Sequence, residues 1–317
     1  MRQPHARTPK ARLRAGTWGL LLLAWALIAG PTAIAQEAPP TITGADGVAV
    51  EINDTSRIIT LGGSITEIVY ALGLGDQIVA TDLSSTFPPA IMEKPRLGYF
   101  RRASAEGILS QEPSLIISTE GLGPPPVLEQ LRTAGVPLLI LEEATSVEAA
   151  ADRIRTVAQV LEREELGEGL VQDMERDVAA ARELQDDTQR PGVLFIYARG
   201  VGAVSVAGTD TGAESMIELA GGSNVVTAYE GYRPITAEAV VTAAPDVILI
   251  PARGLESIGG VDGLLEQPGI ALTPAGQNRR VVAVDDALLL SFGPRLGTGV
   301  LDMTRALYDV KAPEGTQ

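Results

Sequence analysis

One stretch of this chain returns 132 residues later, and that return constrains the fold more than any other feature. Residues 95–113, PRLGYFRRASAEGILSQEP, are echoed by residues 230–245, EGYRPITAEAVVTAAP. Arg101 falls on Arg233, Ser104 on Thr236, Ala105 on Ala237, Glu106 on Glu238, Pro113 on Pro245 and Ile116 on Ile248. Gly98-Tyr99 matches Gly231-Tyr232 with a slip of one residue. A loop–helix–strand unit used twice implies two similar lobes. A surface shared between such lobes is the default place for a ligand.

The N-terminus reads as an address. Arg2, Arg7, Lys10, Arg12 and Arg14 precede an apolar run over residues 18–29, and Ala33-Ile34-Ala35 forms a small-residue cleavage site. This is the pattern of a secretory signal peptide over 1–35, cut after Ala35. The apolar run is short for a membrane span, and with no Cys there is no lipobox. A soluble exported protein is expected. Without residues 1–35, 20 basic residues remain against 40 acidic ones, and the only His (His5) and both Trp are gone. Such a surface argues against nucleic acid as a partner. Lack of Cys and His removes thiol chemistry, most zinc sites and every His-based triad.

Along the chain, short apolar runs alternate with helical patterns, which argues for α/β layers with parallel strands. Residues 36–55 read as a polar, flexible lead-in, and 57–61 as a buried strand. Ser64 and Glu67 have the spacing of a capping box for a helix over 65–72. Strands are expected at 77–81, 114–118 and 136–141, a helix at 127–134, and a plain loop at 123–126. From 146 to 187 no strand appears. Ile154, Val157, Ala158 and Leu161 line one helix, and Leu166, Leu170, Met174, Val178, Ala181 and Leu184 line a second. That second helix, taken as 165–187, is long enough to bridge an N-terminal lobe over 56–164 and a C-terminal lobe over 188–311. Residues 312–317 are a tail. In the second lobe, strands are expected at 193–197, 247–250 and 281–284, and helices at 211–220 and 297–308.

Leu97-Gly98-Tyr99-Phe100-Arg101 with Ser104-Ala105-Glu106-Gly107-Ile108-Leu109-Ser110 resembles the haemin-binding proteins of bacterial haem ABC importers. So do Ala252-Arg253-Gly254-Leu255-Glu256-Ser257, the run 259–265, and Ser291-Phe292-Gly293-Pro294-Arg295. The resemblance covers about residues 57–308. It implies the helix-backbone class of periplasmic substrate-binding proteins: two Rossmann-like lobes joined by a long helix, with the ligand in the cleft between them. It implies no enzymatic activity and a monomer that serves a permease dimer in the inner membrane. The transported ligand it implies is ferric haem b.

By the same resemblance Tyr99 is the axial ligand to haem iron. Phenolate is a hard anionic donor suited to ferric iron, and a nearby guanidinium favours its ionised form. Arg253 is the first candidate for that partner, with Arg101 and Arg102 for the haem propionates. Without the resemblance Tyr99 is one of six tyrosines and reads as a packing residue. Some relatives add a histidine from the second lobe; none is available here. Tyr197 and Arg199 stand where such a group would reach in, and Tyr232 is the alternative second ligand or closing residue.

Glu106 and Glu238 occupy equivalent repeat positions. The resemblance gives them the role of docking on two permease subunits, while helix capping and the helix dipole favour the same carboxylates. Rival functions keep the fold with a corrinoid or ferric siderophore as cargo. A rival of another class is a metal-dependent α/β enzyme, for which no paired-carboxylate motif presents itself.

Overall fold

Parallel strands covered by helices on both faces read as near-continuous apolar runs, and four such runs, broken only by Thr60, Thr81, Ser118 and Thr119, make the first sheet. The computed structural model describes residues 41–186, 188–200 and 203–310. The expected signal peptide and the tail lie outside the described residues. The chain enters through a hairpin of β1 (Thr41–Thr43) and β2 (Ala49–Glu51). This stretch was expected as a flexible lead-in, yet Val50 and Ile52 are buried in the core, which anchors it.

β3 (Ile58–Leu61), β4 (Ile78–Thr81), β5 (Leu115–Thr119) and β6 (Leu138–Leu141) follow. They pair in the order β4-β3-β5-β6, all parallel. Their connections carry α1 (Gly63–Val69), α2 (Ala105–Leu109) and α3 (Pro125–Thr133). The run 123–126, expected as loop, already starts α3. A proline at the first helical position loses no hydrogen bond, because that N–H has no partner in a helix anyway.

Two helices then leave the lobe: α4 (Val147–Val160) and α5 (Glu164–Glu183). At 1.5 Å per residue the 20-residue α5 is roughly 30 Å long. The stripe it buries differs from the expected one. Gly167, Val171, Met174, Val178 and Ala181 face inward, while Leu166 is 51% exposed. The cause is a close crossing, since a Cβ on Gly167 would meet the Ala158 Cβ of α4 at 2.3 Å. A leucine cannot occupy that position, so the helix turns its glycine inward.

The second sheet comprises β7 (Gly192–Ala198), β8 (Val204–Ala207), β9 (Ser223–Asn224), β10 (Tyr232–Pro234), β11 (Val247–Pro251) and β12 (Val281–Val284). It runs β10-β8-β7-β11-β12, with β9 beside β7. Parallel pairing was expected throughout, but β8 and β10 are antiparallel additions at one edge. Around it lie α6 (Gly212–Leu219), α7 (Ala237–Ala243), α8 (Ala252–Ser257), α9 (Gly260–Leu265), α10 (Pro274–Gln277), α11 (Asp286–Leu290) and α12 (Leu296–Leu307).

The sequence repeat is visible in the backbone. Ser104 Oγ accepts from Gly107 N at the start of α2, and Thr236 Oγ1 accepts from Ala239 N at the start of α7. Gly98 and Gly231 share positive φ values of 82° and 74°. One apolar core runs through both lobes, from Ile58 and Leu72 past Met174 of α5 to Phe195, Phe292 and Val300.

Candidate ligand-binding site

Tyr99 is held by an extension of the first sheet. Leu97 N donates to Thr81 O (2.8 Å) and Leu83 N to Gly98 O (2.8 Å), so residues 95–98 run alongside the end of β4. Gly98 then turns the chain through the left-handed region, which other residues enter at a cost. Tyr99 follows in an extended conformation, ahead of a tight turn over Phe100–Arg102. Phe100 is buried and anchors this turn; its ring meets that of Tyr99 edge-on at 5.1 Å. Tyr99 itself is half-buried.

Tyr99 lies within electrostatic reach of two guanidiniums, one from each lobe. Arg101 comes from the same turn and pairs with Glu143. Burial draws Arg101 down, but the Glu143 charge and hydrogen bonding to Tyr99 and Glu143 outweigh it, leaving it above its ordinary value. Arg199, from the loop after β7, donates through both Nε (2.7 Å) and Nη2 to the Tyr197 hydroxyl. That hydrogen bonding holds Arg199 above its ordinary value, with the charges of Tyr197 and Tyr99 adding to it. Tyr99, Arg101, Tyr197 and Arg199, singled out from the sequence, therefore form one group.

Tyr232 joins it from β10, its ring centroid 6.0 Å from that of Tyr197 and 6.2 Å from that of Phe195. The residue is 45% exposed overall, yet burial of its phenol and the neighbouring Tyr197 push that group up to about 12. At neutral pH Tyr232 is thus a hydrogen-bond donor and an aromatic face. Arg233, beside it, stacks over Tyr229 at 4.3 Å.

The other candidates are placed differently. The side chain of Arg102 is exposed and makes no hydrogen bond or ion pair among the described residues. Arg253, favoured from the sequence as the phenol's partner, opens α8, where its N–H donates to Asp286 Oδ1 at 3.3 Å. Its charge acts on Asp286, which burial raises above the ordinary carboxyl value. Glu106 and Glu238 are exposed at the second positions of α2 and α7, neither with an ion-pair partner among the described residues.

The Ser64–Glu67 capping box does not form. Gly62 is the N-cap and both side chains lie inside α1, where each meets an arginine. Arg295 forks onto Glu67, and Arg153 Nη1 donates to Ser64 Oγ (2.8 Å) and to Ser291 O (3.5 Å). Burial draws the Arg153 guanidinium down to about 10, against the pull of Glu143 and Glu120. These arginines tie the two lobes together, and no local sequence pattern announces their partners.

Among the described residues no three His, Asp or Glu side chains gather as a metal cage, and no helix is long and apolar enough to cross a membrane. Hollows of ≈ 410 Å³ beside Asp54 and Arg163 and of ≈ 300 Å³ beside Ser146 and Arg182 contain none of the tyrosine–arginine group.

A family model described as periplasmic binding protein matches residues 58–288. The chain is similar in structure to the periplasmic heme-binding protein RhuT from Roseiflexus sp. RS-1. The two are 47% identical with a TM-score of 0.77, over 81% of this chain and 99% of that one. It is also similar to the periplasmic heme-binding protein BhuT, solved in complex with two hemes, at 39% identity and a TM-score of 0.75. That match covers 80% of this chain and 98% of the other. Among sequence relatives, the vitamin B12-binding protein of Vibrio parahaemolyticus is 25% identical, over 80% of this chain and 90% of its own.

Proposed function

The chain belongs to the periplasmic binding protein family, and on that premise we propose that it captures ferric haem in the periplasm and delivers it to an ABC importer. The observation that carries this reading is the Tyr99 phenol with a guanidinium from each lobe, Arg101 and Arg199. A hard phenolate oxygen suits ferric iron. Guanidiniums beside it are suited to carboxylates such as the haem propionates. Tyr99 supplies the iron ligand. Arg101 and Arg199 stabilise it, and exposed Arg102 and Arg253 meet the propionates at the rim. Tyr197 and Tyr232 of the second lobe offer aromatic faces to the flat porphyrin.

The 47% and 39% identity to heme-binding proteins supports haem over a corrinoid, the cargo of the more distant B12-binding relative. Glu106 and Glu238, exposed and without an ion-pair partner among the described residues, dock on two permease subunits. Their equivalent places in the repeat fit a two-fold receptor, and carboxylates at helix N-termini are held without a counter-ion of their own. The chain acts as a monomeric carrier with its signal peptide removed after Ala35. Parallel titrations of the purified protein with haemin and with cyanocobalamin test the cargo. Haem binding alone is expected, and corrinoid binding alone overturns the assignment.

A further inference from the structure

Arg101 lies in a seat made by parts of the lobe that the proposed role of Tyr99 does not itself require. Its guanidinium stacks on the buried Phe100 ring, 4.9 Å from the centroid, and pairs with Glu143 just beyond β6. Glu143 is itself held: its N–H donates to Glu120 Oε2 (3.2 Å), and Glu120 N donates to Leu141 O (2.9 Å). The floor of the seat is Gly121, with φ +82°. A Cβ there would lie 2.0 Å from Arg101 Nη1. The loop that carries Gly121 is stitched to the Tyr99 turn, with Ala103 N donating to Gly123 O (2.7 Å) and Gly123 N to Phe100 O (3.2 Å).

We propose that Glu143 and the bare backbone of Gly121 are positioning residues for Tyr99: they seat Arg101 against the phenol and so fix the direction of its oxygen. This rests on Tyr99 being the haem ligand. The pair is an unusual investment for stability, because both side chains are about half exposed (43% and 51%), and surface ion pairs contribute little to folding. Orientation is the better account. A guanidinium is planar, with donors at fixed angles, so holding one edge on Glu143 and one face on Phe100 fixes its orientation beside Tyr99, with which it interacts electrostatically. Arg199, anchored on Tyr197 in the other lobe, approaches the same oxygen independently. Tyr99 is thereby set from both sides, and the seat governs only the side belonging to its own lobe.

The test compares Glu143→Ala, Gly121→Ala, Arg101→Ala and the double variant Glu143→Ala/Arg101→Ala. Loss of haem to excess competing apoglobin is expected to be about tenfold faster in each single variant, the scale of one charge-assisted hydrogen bond. Adding Glu143→Ala to Arg101→Ala should then change nothing further. In the ligand-free protein, the carbon-13 signal of the Tyr99 Cζ should move alike in all three single variants. An unmoved Tyr99 signal in Glu143→Ala, or an effect of Glu143→Ala that persists undiminished without Arg101, overturns the seat. Tyr99→Phe separates the two readings. If it keeps haem, the ligand assignment falls and the ligand-free signal alone judges the seat. If it loses haem while Glu143→Ala changes neither readout, only the seat falls.

Discussion

Arg295 of the second lobe grips Glu67 of the first through two parallel hydrogen bonds, Nε to Oε2 at 2.8 Å and Nη2 to Oε1 at 2.7 Å. The Glu67 side chain is 3% exposed, and the guanidinium also stacks on Phe87, 3.5 Å from the ring centroid. Burial raises the Glu67 carboxyl above its ordinary 4.5, Arg295 pulls it back, and the charge of Asp285 adds to the rise. A raised folded-state pKa means the folded protein holds this proton more tightly than the unfolded chain does. The stability it contributes is full below about pH 4.5 and is lost as pH rises through the raised value. Glu67→Gln, which keeps the shape and drops the charge, should stay within about 1 kcal/mol of wild type at pH 7. Arg295→Met strands the carboxylate and should cost about 3 kcal/mol at pH 7, and clearly less at pH 4. Urea unfolding at both pH values checks this; an equal loss at the two would contradict it.

The fork, the Arg153 bridge and α5 bear together on lobe motion. Arg153 spans Ser64, Glu142 O and Ser291 O, and α5 packs on both α4 and α12, where a Cβ on Gly297 would meet Met174 O at 2.3 Å. Such contacts have no slack for a wide hinge. Small-angle scattering curves of the ligand-free and haem-loaded protein should nearly superimpose, and a large compaction on loading would refute the rigid back.

How much of this was legible in the sequence depends on the range of the interaction. The repeat around Glu106 and Glu238, the buried strands and the α4 stripe of Ile154, Val157 and Ala158 follow from local periodicity, which burial enforces within a turn or two. Ser64 and Glu67 mislead for the same reason. Their spacing satisfies a local motif, but their partners lie 89 and 228 residues away. Leu166 was placed inside by hydrophobicity, whereas the space available at Ala158 admits only Gly167. At the site, Tyr99, Arg101, Tyr197 and Arg199 were all visible as residues. Which arginine meets the phenol was not, because that depends on how a loop after β7 faces a turn after β4.

Arg199 and Arg253 should therefore behave differently. Arg199→Ala removes a guanidinium from the phenol and should weaken haem binding about tenfold, the worth of one charge-assisted hydrogen bond. Arg253→Ala, whose charge acts on Asp286, should weaken it by no more than about threefold, as a rim contact does. Equilibrium haemin titrations of the two variants decide the order, and the reverse order would restore Arg253 as the phenol's partner.

Glu106→Ala with Glu238→Ala tests docking. The double variant should bind haem as wild type does but lose uptake through the importer, or stimulation of its ATPase, by more than either single change. A helix-dipole role alone predicts about 0.3–1 kcal/mol of lost stability per site and normal transport once folding is compensated. Melting temperature and transport measured on the same proteins tell the two apart.

The most direct test of the central claim is the absorption spectrum of the purified protein titrated with haemin, wild type beside Tyr99→Phe. Wild type should develop a Soret band with a high-spin ferric charge-transfer feature, and Tyr99→Phe, still folded, should lose that feature and most of its affinity. A Tyr99→Phe protein that keeps the wild-type spectrum and affinity would contradict the account.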